Sequence, residues 1–159
     1  MDNNIMKKAS ESCVEQVYQI RPEHLNGAGR LFGGRLMEWI DEVAGLVGIR
    51  HSHCNVITAS VDNLKFIRGV FQNDLVVLIG NVTYVGNTSM EIRVDTYVEN
   101  LDGIRHPVNR AYLTLVAVDE KGNPAKVPGL LIESIGQQAE WEAGQKRKQL
   151  RIQRKVEGF

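Results

Sequence analysis

Alternation of apolar and polar residues predicts several β-strands in this chain. It is clearest over residues 90–99, and a shorter alternation runs over residues 13–20. Segments rich in β-forming residues predict further strands at 56–66, 75–85 and 110–118. The sequence VGNTS between two of them predicts a tight hairpin.

Between the first and second strands the apolar period becomes helical, over residues 33–51. Leu36, Ile40, Val43 and Val47 form one apolar stripe. Beside it runs a stripe of mostly small residues, made up of Gly34, Met37, Asp41, Ala44, Gly45 and Gly48. A glycine inside a helix costs roughly 1 kcal/mol relative to alanine, so we expect close approach by another backbone or a ligand.

A polar, basic helix is predicted over residues 137–156, with too few apolar residues for a strong stripe. Its cations are Lys146, Arg147, Lys148, Arg151, Arg154 and Lys155. We interpret them as a solvated face, with contact to a nucleotide or a neighbouring subunit as the alternative. At the other end of the chain, residues 1–10 are polar, and we expect them to be flexible.

The order of elements is a strand, a helix, four strands and a polar helix. One apolar helix followed by a long antiparallel meander indicates an α+β fold, with the sheet wrapped around the early helix. Such a sheet has open edge strands, which dimerisation edge to edge would close.

Composition narrows the class of protein. The 159 residues are 43% hydrophobic and 24% charged, as expected for one globular domain. The formal net charge is zero, which gives no general attraction to nucleic acid or an anionic membrane. Two cysteines are too few for a disulfide framework, and we find neither a secretory signal nor an apolar stretch of transmembrane length. We therefore expect a cytoplasmic protein.

The candidate chemistry lies in HLNGAGRLFGGRLMEWIDEVAG, residues 24–45. Gly33 and Gly34 open the predicted helix, where free N–H groups and the helix dipole can polarise a carbonyl oxygen. Asp41, about two turns further on, is a possible base, and shielding by its small neighbours would raise its pKa. Together they suggest hydrolysis of an activated carbonyl. The alternatives are a glycine pair that only permits tight packing, and a solvated acid.

The ordered motifs resemble those of the hot-dog-fold acyl-CoA thioesterases, in the branch of bacterial and brain-type acyl-CoA hydrolases. The matching residues are Asn26, Gly29, Phe32, Gly33, Gly34, Met37, Asp41, 58–62, Phe66, Ile67, 87–92, Val127 and Pro128. The resemblance spans residues 24–130. It departs from the usual pattern after Phe66, where Arg68 and Asn73-Asp74 replace a proline and a Gly-Asp pair.

This resemblance implies a hot-dog fold: a long central helix wrapped by a five-stranded antiparallel sheet, followed by a polar C-terminal helix. The implied division is a flexible N-terminus at 1–10, a hot-dog thioesterase domain at 11–132 and a basic helix at 133–159. Asp41 would be the catalytic carboxylate, either activating water or attacking the thioester to form an anhydride. The helix N-terminus at Gly33 and Gly34 would polarise the carbonyl.

The resemblance also implies that Asn26 of one subunit faces Asp41 of its partner. The active sites would then be shared within a homodimer, assembled further into a hexamer as a trimer of dimers. From the residues alone, the alternative for Asn26 is turn formation, because Asn-Gly is a common turn pair.

For the CoA moiety, cations and backbone N–H groups are the natural partners of phosphate. The candidates are Arg68, Gly86, Asn87, Thr88, Ser89 and Lys126, each of which is otherwise an ordinary surface-loop residue. We expect no cofactor, because CoA belongs to the substrate and product. We expect no metal, because His51, His53 and Cys54 lack a second ligand pair at a usable spacing.

The predicted function is therefore hydrolysis of a fatty acyl-CoA to the free acid and CoA. Two alternatives remain open. A hot-dog dehydratase would use a histidine with an acid, and no histidine lies beside Asp41 on the predicted helix. A non-catalytic acyl-CoA sensor would keep the fold without the acid, whereas this chain has both Asn26 and Asp41.

Overall fold

The computed structural model describes residues 5–62 and 64–159. Its strands in chain order are β1 (Met6–Lys8), β2 (Val14–Gln19), β3 (Asn55–Asp62), β4 (Leu75–Val85), β5 (Ser89–Glu99), β6 (Arg105–Val118) and β7 (Gly129–Leu131). Strands β2 to β6 form a five-stranded antiparallel sheet in the order β2-β4-β5-β6-β3, so β2 and β3 are its edges. The predicted α+β arrangement is confirmed.

Helix α1 (Gly33–Ser52) lies across the inner face of this sheet. Its predicted apolar stripe is buried, because Leu36, Ile40, Val43 and Val47 are each at most 1% exposed. Gly80 of β4 makes the close approach possible: a Cβ there would be 2.8 Å from side-chain carbons of both Val43 and Val47. The sheet thus wraps around an apolar helix, as the sequence predicts.

The C-terminal helix α2 (Ile135–Glu157) begins after Ser134, whose hydroxyl accepts a hydrogen bond from the Gln137 N–H at 3.1 Å. It packs on the outer face of the sheet. Gly144 is its buried contact point, where a Cβ would lie 2.8 Å from the Cβ of Tyr84. Neither α1 nor α2, among the described residues, has a segment long and apolar enough to cross a membrane.

Our interpretation of the α2 cations as a solvated face is wrong for Arg147 and Arg151, whose side chains are 16% and 18% exposed. Arg147 forms two hydrogen bonds, of 2.7 and 2.8 Å, to the Glu91 carboxylate, which is 2% exposed. Arg151 and Arg154 bind the two carboxylate oxygens of Asp62, each at 3.0 Å. The helix needs few apolar residues because ion pairs add to the packing of Trp141 on Tyr84 in its contact with the sheet.

The N-terminal segment also differs from the expected flexible tail. Residues 1–4 lie outside the described part of the chain, whereas Met6–Lys8 form β1, paired in parallel with Gly129–Leu131. Lys7, only 9% exposed, donates to the carbonyl oxygens of Arg50 and His51 at 2.5 and 3.3 Å. A cation is therefore fixed at the negative end of the α1 dipole.

The boundaries of β2, β4 and β5 agree with the sequence prediction to within one residue, and β4 matches at both ends. Strand β6 begins five residues earlier than predicted, at Arg105, and β3 ends at Asp62 instead of residue 66. The VGNTS hairpin is present, closed by a hydrogen bond of 2.8 Å from Gly86 N–H to Ser89 O. Strand β3 has an irregularity in its pairing with β6 between Thr58 and Ser60.

Candidate functional site

Asp41 lies on an exposed side of α1, seven residues after Gly34 and so about two turns along. The Thr58 hydroxyl of the edge strand β3 donates to its Oδ1 at 2.6 Å. This short hydrogen bond fixes the rotamer of the carboxylate and leaves Oδ2 without a partner among the described residues. The expected shielding of Asp41 is absent from the single chain, where both partners of this bond are exposed.

The N-terminus of α1 has the free N–H groups expected of it. Phe32 is the N-cap residue, and its side chain makes no capping hydrogen bond. Its carbonyl accepts from the N–H groups of Arg35 and Leu36, while those of Gly33 and Gly34 have no partner in the described structure. Two donors at the positive end of the helix dipole are therefore available to an oxygen carrying negative charge.

Aromatic rings border these two donors. A Cβ on Gly34 would lie 2.6 Å from Cε1 of Phe32, and a Cβ on Gly33 would lie 3.6 Å from Cζ of Phe66. Both rings are about half exposed, at 56% for Phe32 and 49% for Phe66. A side chain at 34 would therefore displace the Phe32 ring, and the two rings give the helix end an apolar border.

Asn26 forms the turn before α1 and keeps its amide group free. Its side-chain carbonyl accepts from the N–H groups of Ala28 and Arg30 at 2.9 and 3.2 Å. Because those bonds fix the carbonyl oxygen, the exposed Nδ2 group is left as a donor without a partner in the described chain. Turn formation and a role in the site are therefore compatible for Asn26, because its carbonyl oxygen forms the turn and its Nδ2 group remains available as a donor.

A cleft of about 390 Å³ brings together Asn26, Gly33 and Arg68. Its remaining walls are mainly apolar, with contributions from Leu31, Leu36, Phe66, Ile67, Val70 and Val108. Neither Asp41 nor Gly34 lines it. Within one chain, the cleft that contains Asn26 therefore does not include the carboxylate of Asp41.

The CoA candidates fall into two groups. Lys126 adjoins the Gly86–Ser89 hairpin, because the N–H of Val127 donates to Asn87 O at 2.9 Å. The hairpin pairs with β6 near Val116, whereas Arg68 lies near Val108, through the Ile67 N–H bond to the Val108 carbonyl. Eight strand residues separate those positions, so Arg68 is roughly 25 Å from the hairpin along β6.

A second cavity, of about 970 Å³, lies at the other end of α1 and contains no predicted site residue. Its charged lining residues are two cations, Lys7 and Arg50, and three carboxylates, Glu11, Asp119 and Glu120. Among residues 5–62 and 64–159, no group of three histidine, cysteine or acidic residues is arranged to hold a metal ion. Absence of a metal from the reaction stays a prediction.

Thr58 is the site residue that our sequence reasoning did not single out, although it belongs to the motif that carried the resemblance. Thr58 and Asp41 are 17 residues apart in the chain, and their hydrogen bond joins an edge strand to a helix. The strand has several polar residues, so the available signal was only that Thr58 begins the segment 58–62 of the matching motif.

Comparison with known proteins identifies the family. The model of the thioesterase superfamily matches residues 28–103. An uncharacterized acyl-CoA thioester hydrolase of Bacillus subtilis is 38% identical over 125 residues, which cover 78% of this chain and 73% of that protein. The chain belongs to the thioesterase superfamily. Longer members include the rat cytosolic acyl coenzyme A thioester hydrolase, 32% identical, of which this chain covers 37%.

Solved structures of superfamily members confirm the hot-dog fold. The acyl-CoA hydrolase of Staphylococcus aureus, solved with butyryl-CoA and CoA, has a TM-score of 0.90 at 31% identity, covering 96% of this chain and 94% of that one. A hexameric acyl-CoA thioesterase has a TM-score of 0.90 at 34% identity, covering 94% and 97%. The predicted family, the acyl-CoA hydrolase branch of the hot-dog thioesterases, is confirmed, and with it the enzyme class.

Proposed function

We propose that this protein hydrolyses fatty acyl-CoA thioesters to the free fatty acid and CoA, with Asp41 as base or nucleophile. The observation that carries the proposal is the Asp41 carboxylate, held by Thr58 at 2.6 Å and placed two turns from the uncapped N-terminus of α1. A thioester carbonyl is readily attacked, and a helix N-terminus and an oriented carboxylate supply the two groups that its hydrolysis requires.

Two routes use the same groups. In one, the free Oδ2 of Asp41 takes a proton from water, whose oxygen attacks the carbonyl carbon. In the other, Oδ2 attacks that carbon, the C–S bond breaks, and water hydrolyses the resulting anhydride. In both, the N–H groups of Gly33 and Gly34 stabilise the oxyanion, and CoA leaves as a thiolate that is then protonated.

Asn26 belongs in this site as a donor to the carbonyl oxygen, contributed by the partner subunit. Within one chain the cleft that contains Asn26 does not include Asp41, and Asp41 is exposed. Exposed apolar side chains surround the β3 edge and the free side of α1, as a subunit interface requires: Phe32, Met37, Ile57, Val61, Phe66 and Ile67 are each more than 40% exposed. Closure of this surface in a homodimer would shield Asp41.

Relatives support these assignments. Structures of the S. aureus acyl-CoA hydrolase include alanine variants at one asparagine, one aspartate and one threonine, whose spacing along that chain equals the spacing of Asn26, Asp41 and Thr58. A related thioesterase is hexameric, so we propose a trimer of dimers for this chain also. We propose a cytoplasmic enzyme without metal or cofactor.

The CoA moiety would be held by Arg68 at the cleft and by Gly86, Asn87, Thr88, Ser89 and Lys126 at the hairpin. Because these groups are roughly 25 Å apart along β6, a single CoA would contact one group from each subunit or one group alone. Replacing Arg68 or Lys126 by alanine separates the possibilities, since loss of a contact with the CoA moiety should raise KM while leaving kcat unchanged.

The activity is tested by thiol release from acyl-CoA substrates of increasing chain length, comparing wild type, Asp41→Asn and the neighbouring control Glu42→Gln. We expect Asp41→Asn to lose at least about 100-fold in kcat, with the control unchanged. Wild-type turnover in Asp41→Asn would exclude the assigned role. Tight binding of an acyl-CoA without hydrolysis by wild type would instead establish the sensor alternative.

The shared site has its own test. Asn26→Ala and Asp41→Ala chains are co-expressed, so that half of the dimers contain one chain of each kind. Such a dimer has one site with both wild-type residues, and we expect about a quarter of wild-type activity from two inactive parents. No recovery in the mixed dimers would show that each site is formed within one chain.

A further inference from the structure

Strand β3 carries Thr58, yet as an edge strand it has a neighbour in the sheet on one side only. Its pairing with β6 is regular from Asn55 to Thr58 and again from Ser60 to Asp62, with Ala59 as an extra residue between them. Such a bulge reverses which face of the sheet the following side chains occupy. Residues 58 and 62 would share a face in a regular strand, and here they do not.

The contacts on the two faces confirm this reversal. Thr58 points inward, where its hydroxyl bonds the Asp41 carboxylate of α1. Asp62 points outward, where Arg151 and Arg154 of α2 each bind one of its oxygens at 3.0 Å. One strand is therefore fastened from opposite sides by the two helices, through residues on either side of a single bulge.

Low exposure and a neighbouring contact reinforce the bonds of Asp62 to α2 on the outer face of the sheet. The Asp62 side chain is 12% exposed, and that of Arg151 is 18% exposed, so the bond between them is largely shielded from water. Tyr112, the β6 residue paired with Asp62, lies under the Arg147 guanidinium, whose carbon is 3.6 Å from the ring centroid. The adjacent turn of α2 is thus anchored to the same part of the sheet.

We propose that Asp62, held by Arg151 and Arg154, is a positioning residue that sets where β3 places the Thr58 hydroxyl and thereby orients Asp41. The inference rests on the proposed function of Asp41. The C-terminal helix would then contribute to catalysis without touching the substrate, because it fixes the outer side of the bulge.

The experiment is a double-mutant cycle on kcat. Asp62→Asn should lower kcat about tenfold with KM within about twofold, because a displaced hydroxyl no longer holds the carboxylate in position. In a Thr58→Val background the same substitution should have no further effect, because both act through one hydrogen bond. Arg105→Gln is the matched control: that arginine also binds two carboxylates, of Glu15 and Glu99, away from β3.

Arg151→Lys, which keeps a cation beside Asp62, should retain more kcat than Arg151→Gln. Independent multiplication of the Asp62→Asn and Thr58→Val effects would overturn the inference. So would an Asp62→Asn enzyme with wild-type kcat that remains folded and assembled.

A second measurement does not depend on activity. Hydrogen exchange of the peptide covering residues 55–62 should be faster in Asp62→Asn than in wild type or Arg105→Gln. If wild type hydrolyses no acyl-CoA and Asp62→Asn still shows this faster exchange, the proposed function is refuted. The attachment of β3 to α2 through Asp62 would stand. Unchanged exchange in β3 would refute the positioning role by itself.

Discussion

The hydroxyl of Thr58 and the carboxylate of Asp41 are joined by a hydrogen bond of 2.6 Å that links the edge strand β3 to helix α1. Because a hydroxyl that donates to one carboxylate oxygen leaves the other available, the bond orients Asp41 without blocking it. It also makes a side chain on an exposed surface more ordered than its exposure would suggest.

Removing this hydroxyl should reduce catalysis while leaving binding nearly unchanged. A hydrogen bond to a charged group contributes about 1.5–3 kcal/mol, so Thr58→Val should lower kcat by about 10- to 100-fold. Thr58→Ser keeps the donor and should remain within a few-fold of wild type. Steady-state kinetics on a single acyl-CoA distinguish the two, and equal activity of the valine and serine variants would contradict the role of the bond.

Alanine should have opposite effects at two glycines of α2. At Gly144 a Cβ would lie 2.8 Å from the Tyr84 Cβ and 2.9 Å from Glu91 Oε1, so Gly144→Ala should cost about 1–3 kcal/mol of folding free energy. At Gly136 the nearest atom is 3.9 Å away, and alanine should stabilise the helix by up to about 1 kcal/mol. Urea unfolding measures both changes, and equal shifts would mean that α2 is not docked as described.

The buried ion pair that anchors α2 should depend strongly on its cation. Thr83 donates to Glu91 Oε1 at 2.7 Å, but Arg147 is the group that neutralises this carboxylate. Arg147→Met should therefore cost about 3 kcal/mol, because it leaves an unpaired charge inside the protein. Adding Glu91→Gln should restore part of that loss. A double variant less stable than Arg147→Met would contradict this explanation.

Acid should destabilise the fold through His51. This side chain is 0% exposed, and burial lowers its pKa below the ordinary value of 6.5, although a hydrogen bond of 2.9 Å between Nε2 and the Pro128 carbonyl opposes the shift. The unfolded chain therefore binds the proton more readily, and stability should fall as the pH drops below about 6.5.

The measurement is the free energy of unfolding at pH 7.5 and at pH 5.5, for wild type and for His51→Gln. Glutamine lacks the titrating group, so its stability should change less over this interval. An equal change in both proteins would assign the acid sensitivity to other groups.

The sequence predicts this fold well where periodicity extends over many residues. Strand β4 and helix α1 are examples, because their apolar positions repeat over ten or more residues between recognisable turns. Strands β1 and β7 have three residues each, too few for any period to appear. Strand β6 extends back to Arg105 through Pro107, a residue that argues against a strand.

The candidate site, like the fold, could be predicted from the sequence only in part. Asn26, Gly33, Gly34 and Asp41 lie in one continuous motif, so their proximity to the start of α1 follows from local structure. The partners of the charged side chains cannot be predicted from local structure, because they are distant in the chain: Arg151 and Asp62 are 89 residues apart. An arginine on a polar helix has the same appearance in the sequence whether it is solvated or bound to a carboxylate in the folded protein.

The bulge at Ala59 also affects how the edge of the sheet can associate. A long regular edge strand offers an unbroken row of N–H and C=O groups, on which strand after strand can add. Because the extra residue interrupts that row, β3 presents two short segments in different registers. Pairing with another chain is then confined to a few residues, which favours a closed pair of subunits over an open-ended fibril.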